Sequence, residues 1–304
     1  MAAIGARDGL AVVGARLAGR AARLAGYHAT SLPGLVAQRL SPGIVGRLAR
    51  DVGPIAMVTG TNGKTTTSLT LAGILRGAGH CVLANPSGAN LGQAIASALV
   101  GRTGRDAAPD RAVFEVDEAA LPALIDQVEP AVLVLTNLFR DQLDRFGETD
   151  RIVRLWGPAL TRKGRLPVVF CADEPRLGAL VRGRADAIGF GFASAPGGSA
   201  GSVTSDVATC PLCASALELE WATIGHLGAY RCVACGFARP HLGLAVRVVE
   251  DRGFDGQTLG FRWGDGAPGD GTGPREASVA VGLIGIANAY NAAAALRSEE
   301  HTSE

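Results

Sequence analysis

The chain has 304 residues, 47% of them hydrophobic, and a formal net charge of +1. That length is enough for two domains and a sizeable core, and the near-neutral balance removes any general electrostatic argument for nucleic-acid binding. No apolar run reaches the ~18 residues a transmembrane helix needs, and Arg16, Arg20 and Arg23 interrupt any secretory core, so a cytoplasmic setting is expected.

Residues 1–26 read as one amphipathic helix, with Leu10, Val13, Leu17 and Leu24 on one face and Arg16, Arg20 and Arg23 on another. It is expected to pack on the main domain, with contact to an anionic membrane surface as the alternative. Residues 28–41 read as a turn and a short helix. Residues 55–58 form an apolar strand, 60–63 a glycine-bounded turn, and the segment from Lys64 a helix carrying Leu69, Ala72 and Leu75 at helical spacing. Strands follow at 81–83, 112–116, 131–135 and 167–171, with helices marked by Leu91, Ile95 and Leu99, at 118–128 and at 150–160. This alternation implies a parallel α/β sheet whose chemistry lies at its carboxyl edge. Beyond the cysteine-rich segment, 244–263 reads as strands, 264–274 as a Gly-rich loop, 279–284 as a last strand and 288–296 as a helix.

Strand, Gly loop, Lys-Thr and helix make a phosphate-binding loop. Backbone N–H groups of Gly60, Thr61, Asn62, Gly63 and the helix start, through Thr66, can face an anion. Lys64 can reach the outer phosphates, and the Thr65 hydroxyl can sit on Mg²⁺. The general pattern wants glycine where this chain has Val58. Of 29 basic residues only Lys64 and Lys163 are lysines, and a compact ammonium suits the loop position. Glu115, Asp117 and Glu118 follow one strand; Asn137, Arg140, Asp141, Gln142, Asp144 and Arg145 follow the next. Glu115, at a strand end beside the loop, is the candidate Mg²⁺ ligand, directly or through water. Lys64 and Glu115 are therefore the candidate catalytic residues.

Cys210-x-x-Cys213 and Cys232-x-x-Cys235 are separated by 18 residues. Two such knuckles at this spacing signal a structural zinc ribbon, with a redox dithiol pair as the alternative. Cys81 and Cys171 lie in strand-like runs and read as buried spectators. The stretch 193–205 before the knuckles is rich in Gly and Ser, so the ribbon reads as a small appended lobe. Its few cations, Arg231 and Arg239 with His226 and His241 nearby, argue against nucleic-acid contact.

These segments resemble the Mur ligase family, and within it the MurT branch. The likeness rests on Leu32-Pro33-Gly34, on T-G-T-N-G-K-T-T-T at 59–67 (a form shared with folylpolyglutamate synthases) and on Gly88-Ala89-Asn90. It extends to F-E-V-D-E at 114–118, L-T-N-L-F-R-D-Q-L-D-R-F-G-E at 135–148 and G-I-A-N-A-Y-N at 285–291. It spans about residues 28–296. Gln142 stands where most members carry histidine, as is usual for the MurT branch, which removes one expected metal ligand. Lys163 has the wrong spacing for the family's carbamylated lysine. The resemblance implies an α/β central ATP-binding domain with P-loop and parallel sheet at 51–207 and 241–296, a helical segment at 1–50 and a four-cysteine zinc-ribbon insert at 208–240. It implies ATP, Mg²⁺ and Zn²⁺ as cofactors, and Asn288 as an adenine-side residue. It implies amidation of the D-glutamate α-carboxylate of the lipid II stem peptide, at the inner face of the membrane, with ammonia from a GatD-type glutaminase subunit. The rivals are an amino-acid-adding Mur or folylpolyglutamate-type ligase, and a non-catalytic nucleotide-binding zinc-ribbon protein.

The family pattern continues past Asn291 into a third α/β domain, whereas this sequence ends in R-S-E-E-H-T-S-E at 297–304. That octapeptide equals the translation of a common sequencing-adapter oligonucleotide. The expectation is that it breaks the Ala-rich helix, is not native, and stands in for a missing C-terminal ligase domain, leaving the fragment inactive alone.

Overall fold

A computed structural model describes residues 5–27, 30–85, 92–102, 109–139, 148–196, 209–264 and 274–303. Gly88-Ala89-Asn90, the 140–145 segment with Gln142, and most of the Gly-rich stretches before the knuckles and after residue 264 lie outside the described residues.

Ile55–Thr59 (β1) is buried along its whole length, as a strand covered on both faces must be. Val82–Ala84 (β2), Arg111–Glu115 (β3), Val132–Leu135 (β4), Val168–Cys171 (β5) and Ala187–Phe192 (β6) join it in one parallel sheet. Glu218–Ala222 (β7) and Gly228–Arg231 (β8) form a separate antiparallel hairpin. The chain then returns to the main sheet with Leu242–Asp251 (β9), parallel to β6, and adds Gln257–Trp263 (β10) and Arg275–Val281 (β11). The nine-stranded order is β11-β10-β9-β6-β5-β4-β1-β3-β2. The sheet is therefore mixed: β10 and β11 are antiparallel to their neighbours. A short turn joins β9 to β10, and a connection that short can only make an antiparallel pair.

The helices are Ala6–Leu24 (α1), Leu32–Leu40 (α2), Ile44–Ala49 (α3), Lys64–Gly77 (α4), Gly92–Arg102 (α5), Leu121–Val128 (α6), Glu148–Arg162 (α7), Pro175–Leu180 (α8) and Ile286–Ser303 (α9). α1 packs on α2, and α2 on α5; α9 lies along α4 and crosses β9, β6, β5, β4 and β1.

Several expectations change. α1 does pack on the main body, but through Ala11, Val12, Ala15 and Gly19; Leu10, Val13, Leu17 and Leu24 face solvent. Small residues let the backbones approach closely: a Cβ on Gly19 would lie 2.8 Å from Pro33 Cγ. On α4 it is Leu71, Ala72 and Leu75 that are buried, while Leu69 is exposed. Cys81 is exposed and only Cys171 is a buried spectator. The segment after Leu296 continues α9 rather than breaking it. Ser298 Oγ donates to Ala294 O and Thr302 Oγ1 to Glu299 O, so their hydroxyls are satisfied within the helix and both residues are buried on it.

Candidate functional site

Strand order reverses around β1, with β3 on one side and β4 on the other, which opens a crevice at the carboxyl edge of the sheet. Register places Val58 beside Glu115 and Thr59 beside Leu135, so the loop after β1 emerges between the ends of its two neighbours. Two positions in that loop require glycine. Gly60 has φ +133° and a Cβ there would lie 2.3 Å from Thr136 Oγ1. Gly63 has φ +82°, and its Cβ would lie 2.1 Å from Asn291 Oδ1.

The segment after β4 laces the loop in place. Asn62 N donates to Asn137 Oδ1 (3.0 Å) while Asn137 Nδ2 donates to Asn62 O (3.0 Å). Thr61 N donates to Asn137 O (2.9 Å) and Thr136 Oγ1 to Asn62 O (2.8 Å). Phe139 N donates to Thr61 Oγ1 (3.2 Å).

Lys64 Nζ folds back over the loop. It donates to Gly60 O (2.5 Å) and Thr61 O (3.2 Å), and lies 3.3 Å from both carboxylate oxygens of Glu118. Thr65 Oγ1 donates to the buried Glu115 Oε2 at 2.8 Å, and the Asn85 amide clamps the Glu115 backbone. A hydroxyl and a carboxylate meeting beside a phosphate loop are the hard oxygen donors that Mg²⁺ takes. Thr66 follows, half-buried, in the first turn of α4. Asn288 reaches the site through Asn291: Asn291 Nδ2 donates to Asn288 Oδ1 (3.1 Å), and Asn291 Oδ1 accepts from Thr67 Oγ1 (3.4 Å). Thus the structure gathers Gly60–Thr66, Glu115 and Asn288 around one crevice. It adds Glu118, Thr136, Asn137 and Asn291, none of which the motif assigns a role. Strand-end position was the available signal for Asn137, and one-turn spacing from Asn288 for Asn291.

A second cluster lies behind this crevice. Asp173 and Glu174, after β5, are fully buried. Asp173 accepts from Arg239 Nη1 (2.9 Å), Phe192 N (3.0 Å) and Tyr290 OH (2.6 Å); burial nevertheless pushes its carboxyl above the usual aspartate range. Glu174 accepts from Arg176 N (3.1 Å), Leu138 N (3.4 Å) and His226 Nε2. The His226 ring lies 4.9 Å from that of Phe139. The sequence places His226 only near the ribbon's few cations and gives no role to Asp173 or Glu174.

Cys210, Cys213, Cys232 and Cys235 converge, with all four sulfurs within 4.8 Å of one another. Cys210 and Cys235 Sγ are 3.7 Å apart, and Cys213 and Cys232 Sγ 3.5 Å. Thiolates held ~2.3 Å from a tetrahedral ion sit ~3.8 Å apart, so the donor set fits zinc. The Ser215 amide and hydroxyl hold Cys213 down to about 6. Against the pull of the Phe237 amide, burial and the neighbouring thiols push Cys235 up to about 12. The hairpin tip of this small lobe is seated on Glu174 and Phe139.

Residues 58–194 match the Mur ligase middle domain. The chain is similar to the lipid II isoglutaminyl synthase (glutamine-hydrolyzing) subunit MurT of Staphylococcus aureus strain COL, at 33% identity over 227 residues, 74% of this chain and 51% of that protein. The Streptococcus pneumoniae R6 protein of the same description is 35% identical over 243 residues, 77% of this chain and 54% of that one. Among solved structures, a pseudomurein peptide ligase type C from Methanothermus fervidus superposes with a TM-score of 0.58 at 25% identity, over 83% of this chain and 46% of that one. The chain spans about half the length of the curated relatives it matches.

Proposed function

Since this chain belongs to the Mur ligase family, we propose that it is the ATP-dependent ligase part of an amide synthetase of peptidoglycan synthesis, acting on the stem peptide of lipid II. The reading follows the printed function of the MurT relatives. The observation that carries it is the loop geometry: Lys64 over the Gly60 and Thr61 carbonyls, beside a Thr65–Glu115 pair.

In the proposed reaction an oxygen of the D-glutamate α-carboxylate attacks the γ-phosphorus of ATP, and the bond to the β-bridging oxygen breaks with ADP leaving. Ammonia then attacks the acyl carbon, phosphate departs and a proton is lost, giving D-isoglutamine. The first step brings two anions together. Lys64, freed from Glu118 by an incoming phosphate, would neutralise charge on the outer phosphates, and the loop amides would hold them. Thr65 and Glu115 would hold Mg²⁺, which supplies charge neutralisation on the transferring phosphoryl group. Asn288, ordered by Asn291, would face the adenine side. The four cysteines would hold zinc in a structural role, and a GatD-type glutaminase would supply ammonia. A lipid-linked substrate would put the reaction at the inner face of the membrane.

The test is nucleotide binding to the purified chain, then ATP-dependent amidation in the complete ligase with its glutaminase. Lys64→Ala is expected to abolish amidation with the fold intact by circular dichroism. A Lys64→Ala enzyme with full ATP-dependent amidation would overturn the assignment.

A further inference from the structure

Two threads run from the four-cysteine lobe into the nucleotide loop. In the first, β8 leads directly from the hairpin tip at 223–227 to Cys232. Its four residues span only about 13 Å, and Cys232 packs with Cys210, Tyr230 and Phe237 in a small core of its own. At the tip, Gly225 has φ +56°, and a Cβ there would lie 3.0 Å from Phe139 Cε1. That close approach lets the fully buried His226 reach Glu174 and pack its ring, tilted by 51°, against Phe139. The Leu138 amide shares the same Glu174 oxygen, and the Phe139 amide bonds the Thr61 hydroxyl inside the loop.

The second thread starts at the other side of the tip. Thr223 Oγ1 is hydrogen-bonded to Tyr290 OH at 2.8 Å, and Tyr290 donates to Asp173. Arg239, just past the second knuckle, grips the other oxygen of Asp173. The residue after Tyr290 is Asn291, whose amide lies against Gly63. One thread therefore ends on the Gly60–Thr61 side of the loop and the other on its Gly63 side.

We propose that the hairpin tip of the four-cysteine lobe, through His226 and Thr223, positions the nucleotide loop, so that metal occupancy of the lobe and nucleotide affinity are coupled. His226 and Thr223 are positioning residues; neither contacts the phosphate loop itself. The inference rests on the nucleotide-site reading above.

The experiment measures the affinity of the full 304-residue chain for a non-hydrolysable ATP analogue with Mg²⁺ by calorimetry, with hydrogen exchange of the 59–64 segment read in parallel. Metal content is determined for every sample. His226→Ala and Thr223→Val are each expected to weaken binding about 3- to 30-fold and to speed exchange across the loop, with the cysteine site still loaded. His226→Gln, which keeps a donor for Glu174, is expected to recover part of the loss. Stripping the metal with a chelator is expected to weaken binding in the same direction. Ile95→Ala, buried in α5, which packs on α1, α2, α3 and β2, serves as the control for general destabilisation and is expected to leave affinity unchanged. Unaltered affinity in both tip variants, or an equal loss in Ile95→Ala, overturns the proposal. If the wild-type chain binds no nucleotide, the nucleotide-site reading fails and the inference falls with it.

Discussion

Gly63 and Gly73 sit in the same segment and give opposite predictions. At Gly63 the backbone is left-handed and the missing Cβ makes room for the Asn291 amide. Gly63→Ala is expected to destabilise the chain by about 1–3 kcal/mol and to abolish nucleotide binding, because loop and amide must separate. Gly73 lies inside α4, exposed, with nothing within 4 Å of its missing Cβ. Gly73→Ala is expected to stabilise by about 0.5–1 kcal/mol. Denaturant melts of the two variants test both signs. A third residue carries a pH signature. Asp8 accepts from Arg47 Nε (2.7 Å), Arg47 Nη2 (2.8 Å) and Ser41 Oγ (2.6 Å), tying α1 to α3 and to the turn before it. The Arg47 hydrogen bond, aided by Ser41 and opposed by burial, holds the Asp8 carboxyl below its ordinary value. A depressed carboxylate contributes stability that is present above its unfolded pKa and lost as pH falls through its folded one. Asp8→Asn is therefore expected to cost about 1 kcal/mol at pH 7, with the gap to wild type closing below about pH 4. A gap that stays constant from pH 7 to pH 3 would assign the effect to packing instead.

At the scale of elements, the four-cysteine lobe has a small core of its own, built on Cys210, Tyr230, Cys232 and Phe237, and is expected to depend on metal for its stability. One zinc per chain is expected by elemental analysis, and chelation is expected to expose the amides of β7 and β8 to exchange while the main sheet keeps its protection. Zinc well under one per chain, or equal protection of β7–β8 after chelation, would refute the site. What could be read in advance follows the range over which each pattern is written. The strand–loop–helix around Lys64 and the two knuckles are contiguous motifs, and both form where the sequence puts them. The Asn62–Asn137 clamp spans 75 residues and the His226–Glu174 contact 52, so no local window contains them. The antiparallel pairing of β10 and β11 depends on which neighbours accept them. The leucine face of α1 was legible as a stripe, yet a stripe does not say which way it points. The smaller Ala-Gly face won the close contact with α2 and α5.

For the whole molecule, that outward face sets up the last prediction. Among the described residues no helix is long and apolar enough to cross a membrane. α1 nevertheless presents Leu10, Val13, Leu17 and Leu24 to solvent, with Leu24 91% exposed. On a helical wheel Arg7 and Arg20 border this stripe. Apolar side chains between basic ones are the pattern of a helix that lies in the plane of an anionic lipid surface. Each arginine near such a surface adds about 1 kcal/mol, an attraction that salt screens. The chain is expected to co-sediment with vesicles rich in phosphatidylglycerol, less with phosphatidylcholine vesicles, and less again as salt is raised. Leu10→Glu combined with Leu17→Glu is expected to abolish binding without lowering the melting temperature, since neither side chain is packed. Equal sedimentation of wild type and the double variant would remove α1 from membrane contact. If the double variant instead turned a dimeric wild type into a monomer on size exclusion, the stripe would be a contact between copies. A positive vesicle result would fit the proposed lipid-linked substrate: the helix would hold the molecule at the surface where that substrate resides.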